Sequence, residues 1–575
     1  MVLKVKNLFL NEINIYIILI SILIIYPWLF IWQCGDISDL GFFLTTYKFF
    51  FENLQEGQTF SVVFLSDLIG GIFSRIFPNS GVLGYKILYI PFLYATICTI
   101  YKTLIPYVQN KNLLLLGMIC GVVFGTRCDI FTFYYDNLSF LLLITIAYLT
   151  IKAINSEIKS FLILSGIFSI LAVLSRFPNI LVIPLIFLFL ITEIYYINKD
   201  IYSSHLSTMK KFFSLYSLGL IIGTVLIYVS LEFFGIREIF WNNLTIKNYH
   251  SDSSHSIINL LKLYINDFIE FIPHFSAILS IFFLIISLET LNCNKKIKSS
   301  IIILIIIAGI FTYFNISTYL DYSYDNKIKY LTPAFFLVPI AFSFFKKDKF
   351  SSLSVLSIFI SIVQVSGTDS GIFLKLFHGA MILIPLSILI IHEYNNKLYI
   401  GNLSISTKSI IKIGLSFILL LSLILRLGYI YHVDSGIRCR FRATYSMQTS
   451  LMKGIFTTSE RAHYIDKITD IILRNSDNNT SLFIYGIQPL FYFLTNQKPL
   501  ISHTFILLKV WPSPQLLINS LEESIKKNKK WPLIVDTKTT AMGENGKLAF
   551  KEFLTKNNYQ KILEEDNFCI YKRVL

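Results

Sequence analysis

The sequence predicts a polytopic α-helical membrane protein of about thirteen transmembrane helices followed by a C-terminal α/β domain. Three observations carry that prediction. Of the 575 residues 54% are hydrophobic and only 15% charged, with a mean hydropathy of +0.63, whereas soluble globular proteins carry roughly 25% charge. Runs of about 20 apolar residues, the length needed to cross a hydrocarbon core, recur from Ile15 to His432. Beyond Val433 charge rises and short strand-like runs alternate with helical ones. Soluble enzymes, secreted disulfide scaffolds and collagen-like chains are thereby excluded. The seven cysteines show no CxxC or CxxH spacing, and Cys98 and Cys120 lie inside apolar runs, so neither a zinc site nor a disulfide framework is indicated. Cys34 and Cys128 could bridge only if both face an oxidising compartment.

The opening residues MVLKVKNLFLNEIN lead into a long apolar run with no small-residue cleavage site, which reads as a retained first span. Apolar segments follow at 15–32, 83–105, 113–128, 136–152, 160–175, 178–197, 212–235, 271–290, 300–318, 331–345, 351–366, 372–391 and 408–432. With Lys4 and Lys6 at a cytoplasmic N-terminus, alternate loops should be rich in Lys and Arg. They are: Lys102 and Lys111, Lys152 and Lys159, Lys199 with Lys210 and Lys211, Lys295 with Lys296 and Lys298, Lys346 with Lys347 and Lys349, and Lys397 with Lys408. The formal net charge of +15 is thus largely a topology signal, and no nucleic-acid partner is implied.

The opposite loops are 33–82, 129–135, the corner at Arg176, 236–270, the DYSYDNKIKY stretch and 366–371, and they carry Asp, Tyr, Ser and Asn instead. An odd number of spans puts 433–575 on that outer side. There SLFIYG, PLIVDT and FCIYKRV alternate with RAHYIDKITDIILRN, SPQLLINSLEESIKKN and KLAFKEFLTKN, the pattern of a small α/β domain. The chain divides into a membrane domain, 1–432, with interfacial outer loops at 33–82 and 236–270, and an extracytoplasmic domain, 433–575.

Candidate chemistry collects on the outer side. Asp36 and Asp39 fall within one turn of the end of the first span, where a solvated helix end and a general base at the mouth of a cavity are both readings. The aromatic residues that follow, Phe42, Phe43, Phe49, Phe50 and Phe51, suit a helix lying in the membrane interface. Asp129 and Asp136 bracket an FYY run, Asp321 and Asp325 follow the ninth span, and Asp369 sits in SGTDSG. Isolated bases accompany them: Lys86, Arg127, Arg176, Lys327, Lys329 and Lys375. Each alone suits an interfacial anchor. Together they suit a site that binds an anionic headgroup and deprotonates an acceptor. His250, Asp252 and His255 fit no established zinc spacing. The segment IINLLKLYINDFIEF reads as a second interfacial helix. No Walker motif, dinucleotide fingerprint or nucleophile elbow appears.

Four short stretches resemble the GT-C superfamily of membrane-embedded glycosyltransferases. The bacterial branch in question is similar to dolichyl-phosphate-mannose protein mannosyltransferases and lipid A aminoarabinose transferases. They are Asp39-Leu40-Gly41-Phe42-Phe43 after the first span; Tyr85-Lys86-Ile87-Leu88; Tyr134-Tyr135-Asp136-Asn137 together with Ser175-Arg176-Phe177-Pro178; and Lys329-Tyr330-Leu331-Thr332-Pro333. SLFIYGIQPLFYFLTNQKP resembles the opening of the superfamily's extracytoplasmic domain. Lys stands at residues 86 and 329 where Arg is usual, and Leu40 stands where a second acid is frequent, so both Asp39 and Asp36 remain candidates for the catalytic acid.

The resemblance implies transfer of a sugar from a polyprenyl-phosphate donor to a lipid, glycan or protein acceptor at the outer face of the bacterial cytoplasmic (inner) membrane. It implies an inverting step with an Asp general base and donor and acceptor contacts from Lys86, Tyr135, Asp136, Arg176, Lys329 and Tyr330; Arg127, Asp129 and Asp369, from the outer-side cluster of acids and bases, join them as candidate substrate-binding residues, no cofactor is assigned, and a requirement for a divalent cation stays open. The competing reading is a secondary transporter or lipid-linked glycan flippase. Few charges inside the spans, no matched pair of broken helices and the C-terminal domain speak against it.

Overall fold

The computed structural model describes residues 2–29, 31–33, 36–55, 61–126, 131–156, 158–199, 204–244, 343–367, 378–393, 442–476, 481–501, 513–539 and 542–574, with short pieces between them. Helix α1 (Val2–Ile25) ends in a 3-10 turn, Tyr26–Leu29. Three short helices follow, α2 (Asp39–Lys48), α3 (Phe50–Gln55) and α4 (Phe64–Ile76). Then come α5 (Gly81–Leu104), α6 (Lys111–Gly125), α7 (Tyr135–Asn155), α8 (Phe161–Ser175), α9 (Val182–Thr192), α10 (His205–Phe233), α11 (Arg237–Leu244), α12 (Ser351–Val365) and α13 (Ala380–Glu393).

Among the described residues four helical stretches, Gly81–Tyr107, Tyr135–Asn155, Phe177–Ile197 and His205–Phe233, are long and apolar enough to cross a membrane. The chain is a multi-pass helical membrane protein. Shorter apolar helices, including Lys111–Gly125, Phe161–Ser175 and Ser351–Val365, occupy further expected spans. Those expected at 271–290, 300–318, 408–432 and over most of 331–345 lie outside the described residues.

Local chemistry explains several boundaries. Asn110 caps α6 by accepting from the Leu113 N–H at 3.1 Å. Pro178, which lacks an N–H, stops α8 and opens a 3-10 turn at Phe177–Leu181 that feeds α9. Helices α8 and α10 meet backbone to backbone at Gly166 and Gly219, where a Cβ on Gly166 would fall 2.7 Å from the Leu220 nitrogen. Small residues of this kind let apolar helices pack closely without a hydrophobic driving force.

After β1 (Leu398–Ile400) and β2 (Leu403–Ile405), an antiparallel pair, β3 (Tyr445–Ser446) pairs with β4 (Phe456–Thr457). Helix α14 (Ser459–Asn475) precedes a sheet of β5 (Ser481–Tyr485), β6 (Pro532–Asp536), β7 (Tyr559–Glu564) and β8 (Cys569–Arg573) in the order β5-β6-β8-β7. Strands β5 and β6 are parallel and the other pairs antiparallel. Between β5 and β6 the chain forms α15 (Leu490–Thr495) and α16 (Pro514–Asn528), and α17 (Gly543–Lys556) precedes β7.

Alternation along β5 divides the core. Phe483 and Tyr485 pack with Leu517, Leu521 and Phe550. Leu482 and Ile484 join Ile465 and Ile468 of α14 in a cluster continuous with the helical bundle. The sheet is thus bound to the bundle through a shared core.

Candidate active site

The 33–82 segment is not one interfacial helix. It folds as α2, α3 and α4, and Phe43, Phe49 and Phe50 are buried in protein. Phe43 stacks on Tyr134 with ring centroids 5.3 Å apart and meets Tyr135 edge-on. Phe50 packs against Phe64, which packs against Phe240. Phe43 thus joins the 131–135 stretch and Phe50 joins α4, where aromatic pairs gain packing beyond the area they bury, while Phe42 and Phe51 are half-buried.

The two candidate acids have different surroundings. Asp36 is 3% exposed, and one carboxylate oxygen accepts from the N–H and hydroxyl of Ser38 at 2.8 and 2.9 Å. The other accepts from the Leu40 N–H at 3.1 Å. The Leu40 N–H is one of the orphan donors at the start of α2, so Asp36, two residues before the N-cap position of Ser38, satisfies part of that helix start. Asp39, the first helical residue, is half-buried. Phe43, one turn further along α2, is the residue of this helix that meets Tyr134 and Tyr135 at the start of α7.

Lys86, in the second turn of α5, is wholly buried and its Nζ lies 3.5 Å from the Phe131 carbonyl. Phe133 donates its N–H to the Tyr85 carbonyl at 3.3 Å and accepts from the Tyr47 hydroxyl at 3.3 Å. The stretch 131–136 is therefore the meeting point of α2, α5 and α7. Half-buried Tyr135 lies there, with Asp136 beside it in the first turn of α7.

Arg176 adopts an extended backbone between α8 and the 3-10 turn. Its guanidinium donates to the carbonyls of Val363, Gln364 and Ser366 at 3.4, 2.9 and 2.7 Å. Those are the last carbonyls of α12, where a cation complements the helix dipole. Its Nε also lies 3.7 Å from a carboxylate oxygen of Asp136, both side chains buried, an ion pair too long for a hydrogen bond. Arg176 thereby joins α7, α8 and α12.

Of the residues expected at the site, Tyr135 and Asp136 lie in this stretch, Lys86 reaches it at the Phe131 carbonyl and Arg176 at Asp136, while Asp36 and Asp39 lie at the start of α2, which meets it through Phe43 and Tyr47. Arg127, Asp129, Lys329, Tyr330 and Asp369 lie outside the described residues, as do Cys34, Cys128, His250, Asp252 and His255. Among the described residues no group of three His, Cys, Asp or Glu could hold a metal ion.

Several polar residues in the same region carry no sequence motif. His378 Nε2 lies 3.0 Å from Asn137 Oδ1 and 3.3 Å from the Tyr134 hydroxyl. Asn137 donates its amide to the Thr132 carbonyl at 2.9 Å, which leaves its oxygen toward His378, so Nε2 carries a proton. Asn179 donates to Ser139 at 2.7 Å, and Gln364 reaches the same hydroxyl at 3.4 Å.

Asp67 on α4 is 4% exposed, and one of its carboxylate oxygens has no hydrogen-bond partner. Burial pushes its carboxyl well above the ordinary range. Lys48, at the end of α2, is pushed down to about 8 by burial. A lone polar residue within an apolar run, as Asp67, Gln364 and His378 all are, is the signal that would have marked them, because such residues are costly where water is scarce.

No protein-family model matches the chain, and no curated protein matches it in sequence. Among solved structures, ArnT from Cupriavidus metallidurans in the apo state is 9% identical, with 98% of this chain and 97% of that chain covered at a TM-score of 0.48. The same protein bound to undecaprenyl phosphate is 8% identical, with 98% of each chain covered at 0.45. The Archaeoglobus fulgidus oligosaccharyltransferase in complex with Zn and sulfate is 10% identical, with 95% of this chain and 71% of that one covered at 0.45. At such similarity the function is argued from this chain's own residues.

Proposed function

We propose that this protein is a membrane glycosyltransferase that moves a sugar from a polyprenyl-phosphate donor to a lipid, glycan or protein acceptor at the outer face of the cytoplasmic membrane. The observation that carries the reading is the division of labour between the two acids at the start of α2. Asp36 accepts from Ser38 and Leu40, while half-buried Asp39 opens the same helix, whose Phe43 stacks on Tyr134. Asp39 is then the general base.

The step is an inverting displacement. The acceptor hydroxyl oxygen attacks the anomeric carbon as the bond from that carbon to the phosphate oxygen breaks. The phosphate leaves with the bonding electrons, and the hydroxyl proton passes to Asp39. One base suffices, because a phosphate leaves without needing a proton.

The donor's lipid tail in the bilayer would deliver its phosphate to the level of the short helices, where Lys86 and Lys329 are the bases assigned to the leaving group. Arg176 supports the site by fixing Asp136 and the end of α12, and Tyr135 with Phe43 forms an aromatic wall on which a sugar can stack. Residues 433–575 are assigned to the extracytoplasmic side.

The test is a mass-spectrometric comparison of surface glycolipids from cells with and without the protein. Loss of one sugar from one class is expected. Unchanged glycans together with altered movement of a lipid-linked precursor would overturn the reading in favour of a flippase.

A further inference from the structure

The segment 486–495 belongs to the C-terminal third of the sequence, yet its helix α15 lies along α2. The Leu490 N–H donates to the Ile37 carbonyl at 3.2 Å. The Thr45 hydroxyl donates to the Pro489 carbonyl at 2.9 Å. The Lys48 ammonium donates to the Phe493 carbonyl at 2.9 Å and sits 4.9 Å over the Phe493 ring. Between these contacts a Cβ on Gly41 would fall 2.6 Å from the Leu490 Cα, so the two backbones touch there and only glycine fits. Residues 37, 41, 45 and 48 form one stripe at helical spacing, and α15 covers it from end to end.

Two more contacts bracket the stripe. Before α2, the Phe456 N–H donates to the Trp32 carbonyl at 2.6 Å, and Gln33 bridges to Phe456. Beyond α4, Gly81 at the start of α5 lies against the backbone of Leu451. The length of α2, 10 residues, is too short for a helix to hold its own geometry, so its position is set by what packs on it. That position matters, because a catalytic group displaced by about 1 Å can lose on the order of a hundredfold in rate.

We propose that α15 is a clasp that sets the position of the acid-bearing helix α2, with Thr45 and Lys48 as positioning residues. The C-terminal region is then part of the catalytic unit. The inference rests on the reading of Asp39 as the base.

It is tested on the full-length protein in proteoliposomes with Lys48→Met, Lys48→Arg and Thr45→Val. Two quantities are read: hydrogen exchange of the amides in Asp39–Lys48, and the kcat and donor KM of sugar transfer. Lys48→Met combined with Thr45→Val is expected to speed exchange in α2 and to lower kcat by about tenfold or more while leaving donor KM within about twofold, since a hydrogen bond from a charged group is lost without touching donor contacts. Lys48→Arg alone keeps a cation at the Phe493 carbonyl and is expected to retain both.

Faster exchange in α2 with an unchanged kcat would overturn the positioning role, and unchanged exchange would overturn the clasp itself. If the wild-type protein transfers no sugar, the glycosyltransferase reading fails, whereas the clasp still stands or falls on the exchange.

Discussion

Replacing each of the two acids at the start of α2 by its amide separates a structural carboxylate from a chemical one. In Asp36→Asn the side chain keeps one acceptor oxygen but turns an NH2 toward a group that wild type satisfies, the Ser38 pair or the Leu40 N–H. Leaving a buried donor unmet costs about 1–3 kcal/mol, and loss of the negative charge at the helix start adds about 0.3–1 kcal/mol. A lower melting midpoint and faster exchange across α2 are the expected result.

Asp39→Asn removes the charge of a half-buried residue in the first turn of α2, while Asp36 still holds the donors of Ser38 and Leu40. Its stability should stay within about 1 kcal/mol of wild type, while transfer falls by about 10²–10⁴, the range for removing a general base. Thermal melting in detergent and transfer from a polyprenyl-phosphate sugar in proteoliposomes measure the two effects on the same preparations. Wild-type transfer by Asp39→Asn, or an unchanged midpoint for Asp36→Asn, would refute the division of roles.

Two further expectations concern buried charge. Arg176→Met removes the donor to three terminal carbonyls of α12 and takes the cation from buried Asp136. It should destabilise by about 3–5 kcal/mol, with partial recovery when Asp136→Asn is added; a midpoint equal to wild type in chemical-denaturation or thermal scans would disprove the joining role of Arg176. Asp67, outside the spans, has its carboxyl raised by burial, so the native state keeps a proton that the unfolded chain has released. Its contribution to stability is full below about pH 4 and is lost as pH rises through the raised native value. Asp67→Asn should flatten the stability profile above about pH 4, where that contribution is lost, and a slope equal to wild type would count against it.

Helix positions in the described bundle were legible because apolar length and Lys-rich alternation reflect a one-dimensional constraint, the thickness of the bilayer. The runs SLFIYG, PLIVDT and FCIYKRV form β5, β6 and β8, and the short continuous apolar runs of the first two suit strands buried on both faces. The 33–82 segment was legible only as aromatic and helical. Whether Phe43 and Phe50 meet lipid or protein depends on α11 and on 131–135, which are distant in sequence. Arg176 was legible as a polar corner, but its three carbonyl partners belong to a helix almost two hundred residues later.

By itself the sequence determined the class of molecule, the approximate spans and the concentration of acids on one set of loops, because composition and period report directly on the solvent that surrounds each segment. Only the tertiary structure decided that Asp36 holds the donors of Ser38 and Leu40 at a helix start, and that a C-terminal helix lies along the segment bearing both acids. Those outcomes depend on which donors reach a carboxylate across the fold, and hydrogen-bond partners are chosen by three-dimensional proximity that no local spacing encodes.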